Sequence, residues 1–131
     1  MLDNNKKIIR QDLPISIALV DDDEPILDAV TMVLENQDWQ VSAYTNGEAF
    51  LEDLTHFRPD LLVLDSHLPG INGLEVIEKL KEGLVVLPVI ILTAHPSNIE
   101  TKKLKKLIGS QVLIKPVTEY ELVQRCRTML K

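Results

Sequence analysis

Five short apolar runs alternate along the chain with five segments of helical periodicity. The runs are rich in Val, Ile and Leu, and three of them are almost wholly apolar, which is typical of strands buried on both faces of a sheet. The predicted strands cover residues 15–20, 39–44, 60–65, 88–93 and 111–114. The segments between them space apolar residues three and four positions apart, as amphipathic helices do. The alternation predicts an α/β fold, in which a five-stranded parallel sheet carries helices on both faces.

The helices are predicted from apolar spacing and from start signals. They cover residues 25–37, 46–54, 73–82, a segment that begins at 97–100 and another that begins at 118–121. The first of them places Ile26, Leu27, Val30, Val33 and Leu34 on one face. The patterns "SNIE" and "TEYE" each place a Glu three residues after a Ser or Thr, and they predict capping boxes at the starts of the last two helices.

Composition excludes several classes of protein. The chain has 131 residues, enough for one domain with a real core. It carries 20 acidic and 14 basic residues, and the resulting net charge of −6 argues against a nucleic-acid-binding surface, which is usually basic. The single cysteine, Cys126, excludes a disulfide framework and a cysteine zinc cluster, and it fits a reducing, cytoplasmic location.

The sequence predicts neither a membrane span nor a signal peptide, and it indicates where the domain begins. Its longest apolar run, residues 84–92, is far shorter than the roughly 18 residues that a membrane span needs. The first residues include acidic side chains and only one apolar pair, so they do not resemble a signal peptide. We expect residues 1–13 to form a flexible tail and residues 14–131 to form one domain without membrane contact.

Chemically active side chains follow four of the five predicted strands. Asp21 and Asp22 come directly after the first strand, Asp65 closes the third, Thr93 closes the fourth, and Lys115 follows the fifth. Each has an ordinary explanation alone, such as a helix start, a turn or a surface position. Because the carboxyl ends of parallel strands share one edge, however, the sequence predicts that carboxylates, a hydroxyl and an ammonium group meet there.

These groups suit phosphoryl transfer to a carboxylate. Clustered carboxylates repel one another, and a hard cation such as Mg²⁺ allows them to stay ionised. Aspartate is a nucleophile that forms aspartyl phosphates, and the metal ion neutralises charge on the transferring group. A lysine and a hydroxyl can each bind a phosphoryl oxygen. On this interpretation Asp65 ends a buried strand because the strand holds a nucleophile at the edge of the sheet.

Four motifs resemble the receiver domains of two-component response regulators. They are "VDDDEP" (20–25), "LLVLDSHLPGINGLEVIEKLK" (61–81), "PVIILTAH" (88–95) and "LIKPV" (113–117), and their spacing agrees with the family over about residues 14–131. The resemblance implies a doubly wound, flavodoxin-like sheet with the strand order 2-1-3-4-5.

The resemblance also implies roles for individual residues. Asp65 is similar to the phosphoacceptor, and Asp21 and Asp22 are similar to the acidic pair that binds Mg²⁺, with Asp22 as the more direct ligand. Asp65 itself and the backbone carbonyl of His67 would complete the metal site. Asp23 is an additional acid that we interpret as charge at a helix start.

The resemblance implies further roles for residues at the ends of the last two strands. Thr93 is similar to the hydroxyl that follows the phosphoryl group, and Lys115 to the family's lysine, whose bond to Pro116 is implied to be cis. Val112 departs from the family, which often has an aromatic residue there, and its side chain is too small to act as the usual aromatic switch by swinging in and out. His67 and His95 lie two residues beyond Asp65 and Thr93, and we expect them to border the site as loop histidines, with a metal-binding pair as the alternative.

By this resemblance the chain is a signalling switch rather than a metabolic enzyme. Its implied partner is a sensor histidine kinase or phosphotransfer protein, and its output surface comprises the fourth helix, fifth strand and fifth helix. Homodimerisation through that surface and a role in transcription regulation are options that the resemblance allows, without direct nucleic-acid binding by this chain.

Two alternatives stay open. A haloacid-dehalogenase-type phosphohydrolase would use Asp21 as the nucleophile of a D-x-D pair with Asp23, although Pro25 stands where a threonine is expected. A pseudo-receiver would be a binding module of the same fold, although Asp65, Thr93 and Lys115 argue against it.

Overall fold

The computed structural model describes residues 13–108 and 111–131, so the predicted tail lies outside the described residues except for Leu13. The elements alternate as predicted, and every bound falls within two residues of the predicted one. They are β1 (Ser16–Val20), α1 (Glu24–Glu35), β2 (Gln40–Tyr44), α2 (Gly47–Asp53), β3 (Leu61–Asp65), α3 (Gly73–Glu82), β4 (Val89–Thr93), α4 (Ile99–Ile108), β5 (Val112–Ile114) and α5 (Glu119–Met129).

The five strands form one parallel sheet in the order β2-β1-β3-β4-β5, which confirms the predicted topology. Its register decides which strand ends are neighbours. Val20 pairs with Leu64 across β1 and β3, and Asp65 pairs with Leu92 across β3 and β4. The residues that follow β1 therefore meet the last residue of β3 at one edge of the sheet.

Alternate residues of the central strands enter two apolar cores, one on each face. In β3, Leu62 and Leu64 pack with α2, α3 and α4, whereas Leu61 and Val63 pack with α1 and α5. Burial on both faces explains why these strands are almost wholly apolar. Within the described ranges, no helix combines the length and the apolarity that crossing a membrane requires.

Two expectations about helices were wrong. Ile26 was placed on the buried face of α1, but its side chain is 41% exposed. The capping box predicted at residues 97–100 does not form there, because α4 begins one residue later than that pattern requires and the Asn98 side chain accepts a hydrogen bond from the Thr101 amide at 2.8 Å. The capping box between Thr118 and Glu121 at the start of α5 is confirmed.

Candidate functional site

Three carboxylates meet at the carboxyl ends of β1 and β3. One oxygen from each of Asp21, Asp22 and Asp65 lies within 4.8 Å of the other two. Asp21 is 2% exposed and Asp65 is 5% exposed, whereas Asp22 faces solvent. Two of the three acids are therefore removed from water beside a third, an arrangement that favours a bound cation.

Backbone hydrogen bonds fix the first of these acids. The Asp21 amide donates to the Tyr44 carbonyl of the neighbouring β2 at 3.1 Å, and Asp21 Oδ1 accepts from the Asp23 amide at 2.9 Å. Asp23 is the N-cap of α1, because its own carboxylate accepts from the Ile26 amide at 3.2 Å. The reading of Asp23 as a helix-start acid agrees with this geometry, and the cap keeps its side chain engaged with the helix.

Lys115 supplies positive charge to the two buried acids. Its amide donates to the Thr93 carbonyl at 2.8 Å, and its peptide bond to Pro116 is cis, as the resemblance implies. Its Nζ lies 3.3 Å from Asp65 Oδ1 and 3.9 Å from Asp21 Oδ2. The His67 amide also donates to Asp65 Oδ1, at 3.2 Å. Both of these contacts with Asp65 fall on the same carboxylate oxygen.

Burial raises the pKa of Asp21 above its ordinary value. The neighbouring charge of Asp65 acts in the same direction, while the hydrogen bond from the Asp23 amide and the charge of Lys115 oppose it. The lysine therefore compensates the cluster only partly. A divalent cation among the three carboxylates would favour the ionised form of Asp21, so the donor set fits a hard metal ion.

The start of α3 lies directly against the backbone that carries Asp65. The Gly73 amide donates to the Ser66 carbonyl at 3.2 Å. A Cβ at Gly73 would lie 3.0 Å from Ser66 Cα and 3.2 Å from the Asp65 carbonyl oxygen, which is closer than side chains normally approach backbone. The glycine thus lets helix α3 pack against the strand end and hold it in place.

A cleft of about 220 Å³ opens above the carboxylates. His67 and His95 both line it, with ring centroids 6.3 Å apart in an edge-to-face arrangement, as do Ile26, Ala94 and Lys115. Ile26 was missed as a site residue because helical periodicity assigned it to the core. A larger groove of about 890 Å³ lies near Leu13 and Lys131, at the opposite end of the sheet, so size alone does not identify the site.

Thr93 is adjacent to the site but does not line the cleft. Its side chain is fully buried, and its hydroxyl accepts from the His95 amide at 3.0 Å and lies 3.5 Å from the Thr101 hydroxyl of α4. The structure therefore brings Asp21, Asp22, Asp65 and Lys115 together and leaves the Thr93 hydroxyl turned toward α4. Thr101 was missed because a threonine beside lysines resembles a surface residue, although it lies three residues before Leu104 on the apolar face.

The sequence matches the family described as "Response regulator receiver domain" over residues 17–127. It is 32% identical over 118 residues to the transcriptional regulatory protein TrcR of Mycobacterium tuberculosis, covering 90% of this chain and 46% of that protein. It is 35% identical over 116 residues to the transcriptional regulatory protein AfsQ1 of Streptomyces coelicolor, covering 88% and 51%. The chain thus spans about half the length of these curated relatives.

The structure is also similar to a solved receiver domain. The BeF3-activated receiver domain of DrrB, a Thermotoga maritima protein described as an OmpR/PhoB homologue, superimposes with a TM-score of 0.79 at 30% sequence identity. That match covers 90% of this chain and 98% of the DrrB receiver domain.

Proposed function

Because the chain belongs to the response regulator receiver domain family, we propose that it accepts a phosphoryl group on Asp65 from a phosphohistidine of a sensor kinase or phosphotransfer protein. The observation that carries this proposal is the nearly buried Asp65 carboxylate, which lies within 3.3 Å of the Lys115 ammonium and beside two further acids. The chain would act as a switch that gains and slowly loses this group, rather than as an enzyme that turns over a metabolite.

The cofactor that we propose is Mg²⁺. Asp21, Asp22, Asp65 and the backbone carbonyl of His67 would hold it, and the three clustered carboxylates with the raised pKa of Asp21 support that assignment. When bound, Mg²⁺ supplies positive charge that offsets the negative charge of the transferring phosphoryl group.

The chain's own residues would attack the phosphorus and bind the transferred phosphoryl group. An oxygen of Asp65 forms the new P–O bond while the P–N bond of the donor breaks, and that electron pair stays on the donor's imidazole nitrogen. We expect Oδ2 to attack, because the Lys115 ammonium and the His67 amide both contact Oδ1. Lys115 would then pair with one phosphoryl oxygen, and the Thr93 hydroxyl would donate to another.

The output surface that we propose comprises α4, β5 and α5. Ile99, Ile114 and Tyr120 are 71%, 55% and 74% exposed on these elements, which supports contact with a partner or a second copy of the chain. A role in transcription regulation is proposed because the curated relatives TrcR and AfsQ1 are named as transcriptional regulatory proteins.

Phosphorylation by a small donor tests the assignment of Asp65. Incubated with Mg²⁺ and acetyl phosphate, the protein should gain a single acyl phosphate that peptide mass spectrometry maps to Asp65. Asp65→Asn should gain none, and chelation of Mg²⁺ should prevent labelling of the wild type. Labelling of Asp21 would instead support a phosphohydrolase of the haloacid-dehalogenase type. The absence of any adduct on folded protein would support a pseudo-receiver.

A further inference from the structure

We propose that Thr101 is a positioning residue, whose hydroxyl holds the Thr93 hydroxyl in the unphosphorylated state and competes with the phosphoryl group for the Thr93 proton. This inference rests on the proposed function of Asp65 and deepens it, because it names the residue that Thr93 must leave. It also places the link between the site and α4 in a side chain that the sequence did not single out.

The two hydroxyls belong to a closed loop of hydrogen bonds. Thr93 and Thr101 are 0% and 1% exposed, and their Oγ1 atoms lie 3.5 Å apart. The Thr101 hydroxyl donates to the His95 carbonyl at 2.8 Å, and the His95 amide donates to the Thr93 hydroxyl at 3.0 Å. Asn98 caps this turn by accepting from the Thr101 amide at 2.8 Å. Thr101 is therefore held in position from two sides.

Counting protons fixes the direction of the contact between the hydroxyls. A hydroxyl group has one proton to donate and two lone pairs that accept. The Thr101 proton is engaged with the His95 carbonyl, so in the contact between the two threonines Thr93 is the donor. A phosphoryl oxygen of an acyl phosphate dianion has no proton of its own to give at neutral pH, so it also needs the Thr93 proton. The two acceptors therefore exclude each other.

This competition links phosphorylation to α4. When the Thr93 hydroxyl turns to a phosphoryl oxygen, Thr101 loses its donor, and the loop that joins Thr93, His95 and Thr101 opens. Thr101 lies in the first turn of α4, so the change reaches that helix directly. Val112 is too small to transmit the movement by swinging, and a hydroxyl contact offers a route that needs no aromatic side chain. The 3.5 Å separation marks a weak contact that can be exchanged at small cost.

Beryllofluoride, the phosphoryl mimic, measures the competition. Thr101→Val keeps the shape of the side chain and removes the competing acceptor together with its donation to the His95 carbonyl. It should tighten beryllofluoride binding in the presence of Mg²⁺ by about two- to threefold, the lower end of the range for one net hydrogen bond, because the contact between the two hydroxyls is long. Thr101→Ser restores the hydroxyl and should bind like the wild type. Thr128→Val is the matched control, because Thr128 is an exposed helical threonine whose hydroxyl donates to the Gln124 carbonyl at 3.0 Å, far from the site.

A double-mutant cycle separates positioning from a merely structural role. In a Thr93→Val background there is no hydroxyl proton to release, so adding Thr101→Val should change the beryllofluoride dissociation constant less than twofold. An equal gain in both backgrounds, or weaker binding by Thr101→Val than by the wild type, would overturn the proposal. Failure of the wild type itself to bind beryllofluoride at Asp65 would instead overturn the proposed function.

A measurement on the wild type keeps the proposal testable if Thr101→Val does not fold. Methyl resonances of Thr93 and Thr101, followed by NMR during a beryllofluoride titration, should shift together with the same midpoint, while that of Thr128 stays in place. A Thr101 methyl resonance that does not respond would exclude the loss of its contact with Thr93.

Discussion

Helices α3 and α4 follow the neighbouring strands β3 and β4, yet they are attached to the sheet in different ways. α3 begins with a capping box between Asn72 and Glu75, and it buries Gly73, Val76, Ile77 and Leu80. α4 exposes Ile99 and several lysines, and contacts made by Thr101 join its first turn to Thr93 of β4 and to His95 in the loop that follows β4. The strand of Asp65 is followed by a helix that buries several residues of one face, whereas the strand of Thr93 is followed by a helix that buries Leu104 but is joined at its first turn through exchangeable hydrogen bonds.

The difference shows how one edge of the sheet can combine a strand that holds the site in place with a helix that can move. Apolar burial over a whole helix face is expensive to undo, whereas one hydrogen bond contributes only about 0.5–1.5 kcal/mol net. The residue that we propose as the nucleophile, Asp65, therefore lies on the fixed β3–α3 unit, and the element that we expect to respond lies on the more adjustable β4–α4 unit. A small free-energy change at the site, such as the one that we expect from phosphorylation, can shift the β4–α4 unit while the β3–α3 unit stays in place.

The largest expected effect tests whether α3 is the fixed helix. Ile77→Ala removes a side chain that is 1% exposed and should lower the free energy of unfolding by about 2–5 kcal/mol. Ile99→Ala, the same substitution at the exposed start of α4, should change it by less than about 0.5 kcal/mol. Urea denaturation followed by circular dichroism measures both. Similar losses for the two variants would contradict the distinction between the units.

A smaller effect tests the close approach of α3 to Asp65. Gly73→Ala places a methyl group against the backbone of Asp65 and Ser66 and should destabilise the protein by about 1–3 kcal/mol. The control is Gly83→Ala at the other end of α3, where the nearest atom would lie 3.5 Å away. That variant should range from neutral to about 0.5 kcal/mol more stable. If Gly73→Ala is as stable as Gly83→Ala in the same denaturation assay, the contact does not brace the site.

The smallest expected effect has the opposite sign. Asp21→Asn removes a buried acid whose pKa is raised, so in metal-free buffer at neutral pH it should stabilise the protein by on the order of 1 kcal/mol. As pH rises above 3.8, the unfolded chain loses the Asp21 proton first, so the wild type loses stability relative to the variant up to the pKa of the folded state. The gain should therefore be small near pH 4 and larger at neutral pH.

The matched control for that prediction is Asp22→Asn, which alters an exposed acid of the same cluster and should change the free energy of unfolding by less than about 0.5 kcal/mol. Thermal unfolding at several pH values with a chelator compares the two variants. A constant gain from Asp21→Asn at every pH would show that ionisation of Asp21 is not its cause. Both variants should bind Mg²⁺ more weakly than the wild type, because each substitution removes a carboxylate that we propose as a metal ligand.

Much of this arrangement could be predicted from the sequence, because it depends on chain order. The apolar runs located the strands, and parallel pairing then placed Asp21, Asp65 and Lys115 at one edge whatever the details of packing. The fold class and strand order are confirmed, and the predicted neighbours are neighbours in the structure. The roles of those residues in phosphoryl transfer stay predictions.

The incorrect predictions concern residues whose surroundings depend on where a helix starts and how it is rotated about its axis. Ile26 fits the apolar face of α1 by spacing, yet it lies in the first turn of that helix and lines the cleft. Asn98 rather than Ser97 caps α4, since the helix starts one residue later than the pattern suggested. The contact of Thr101 with Thr93 depends on how α4 lies on the sheet, which a single sequence does not specify.

The strand order also has a consequence for how the protein is made. Every ladder of a parallel sheet joins strands separated by a crossover, so none of the strand pairs here is local in the chain. β1 lies between β2 and β3, so Asp21 reaches Asp65 only after β3 has been added, and Lys115 joins them only when β5 docks on β4. Contacts between distant parts of a chain are slow to form. We therefore expect the complete cluster of Asp21, Asp65 and Lys115 to form late in folding, so the phosphoryl acceptance that we propose would report that the last strand is in place.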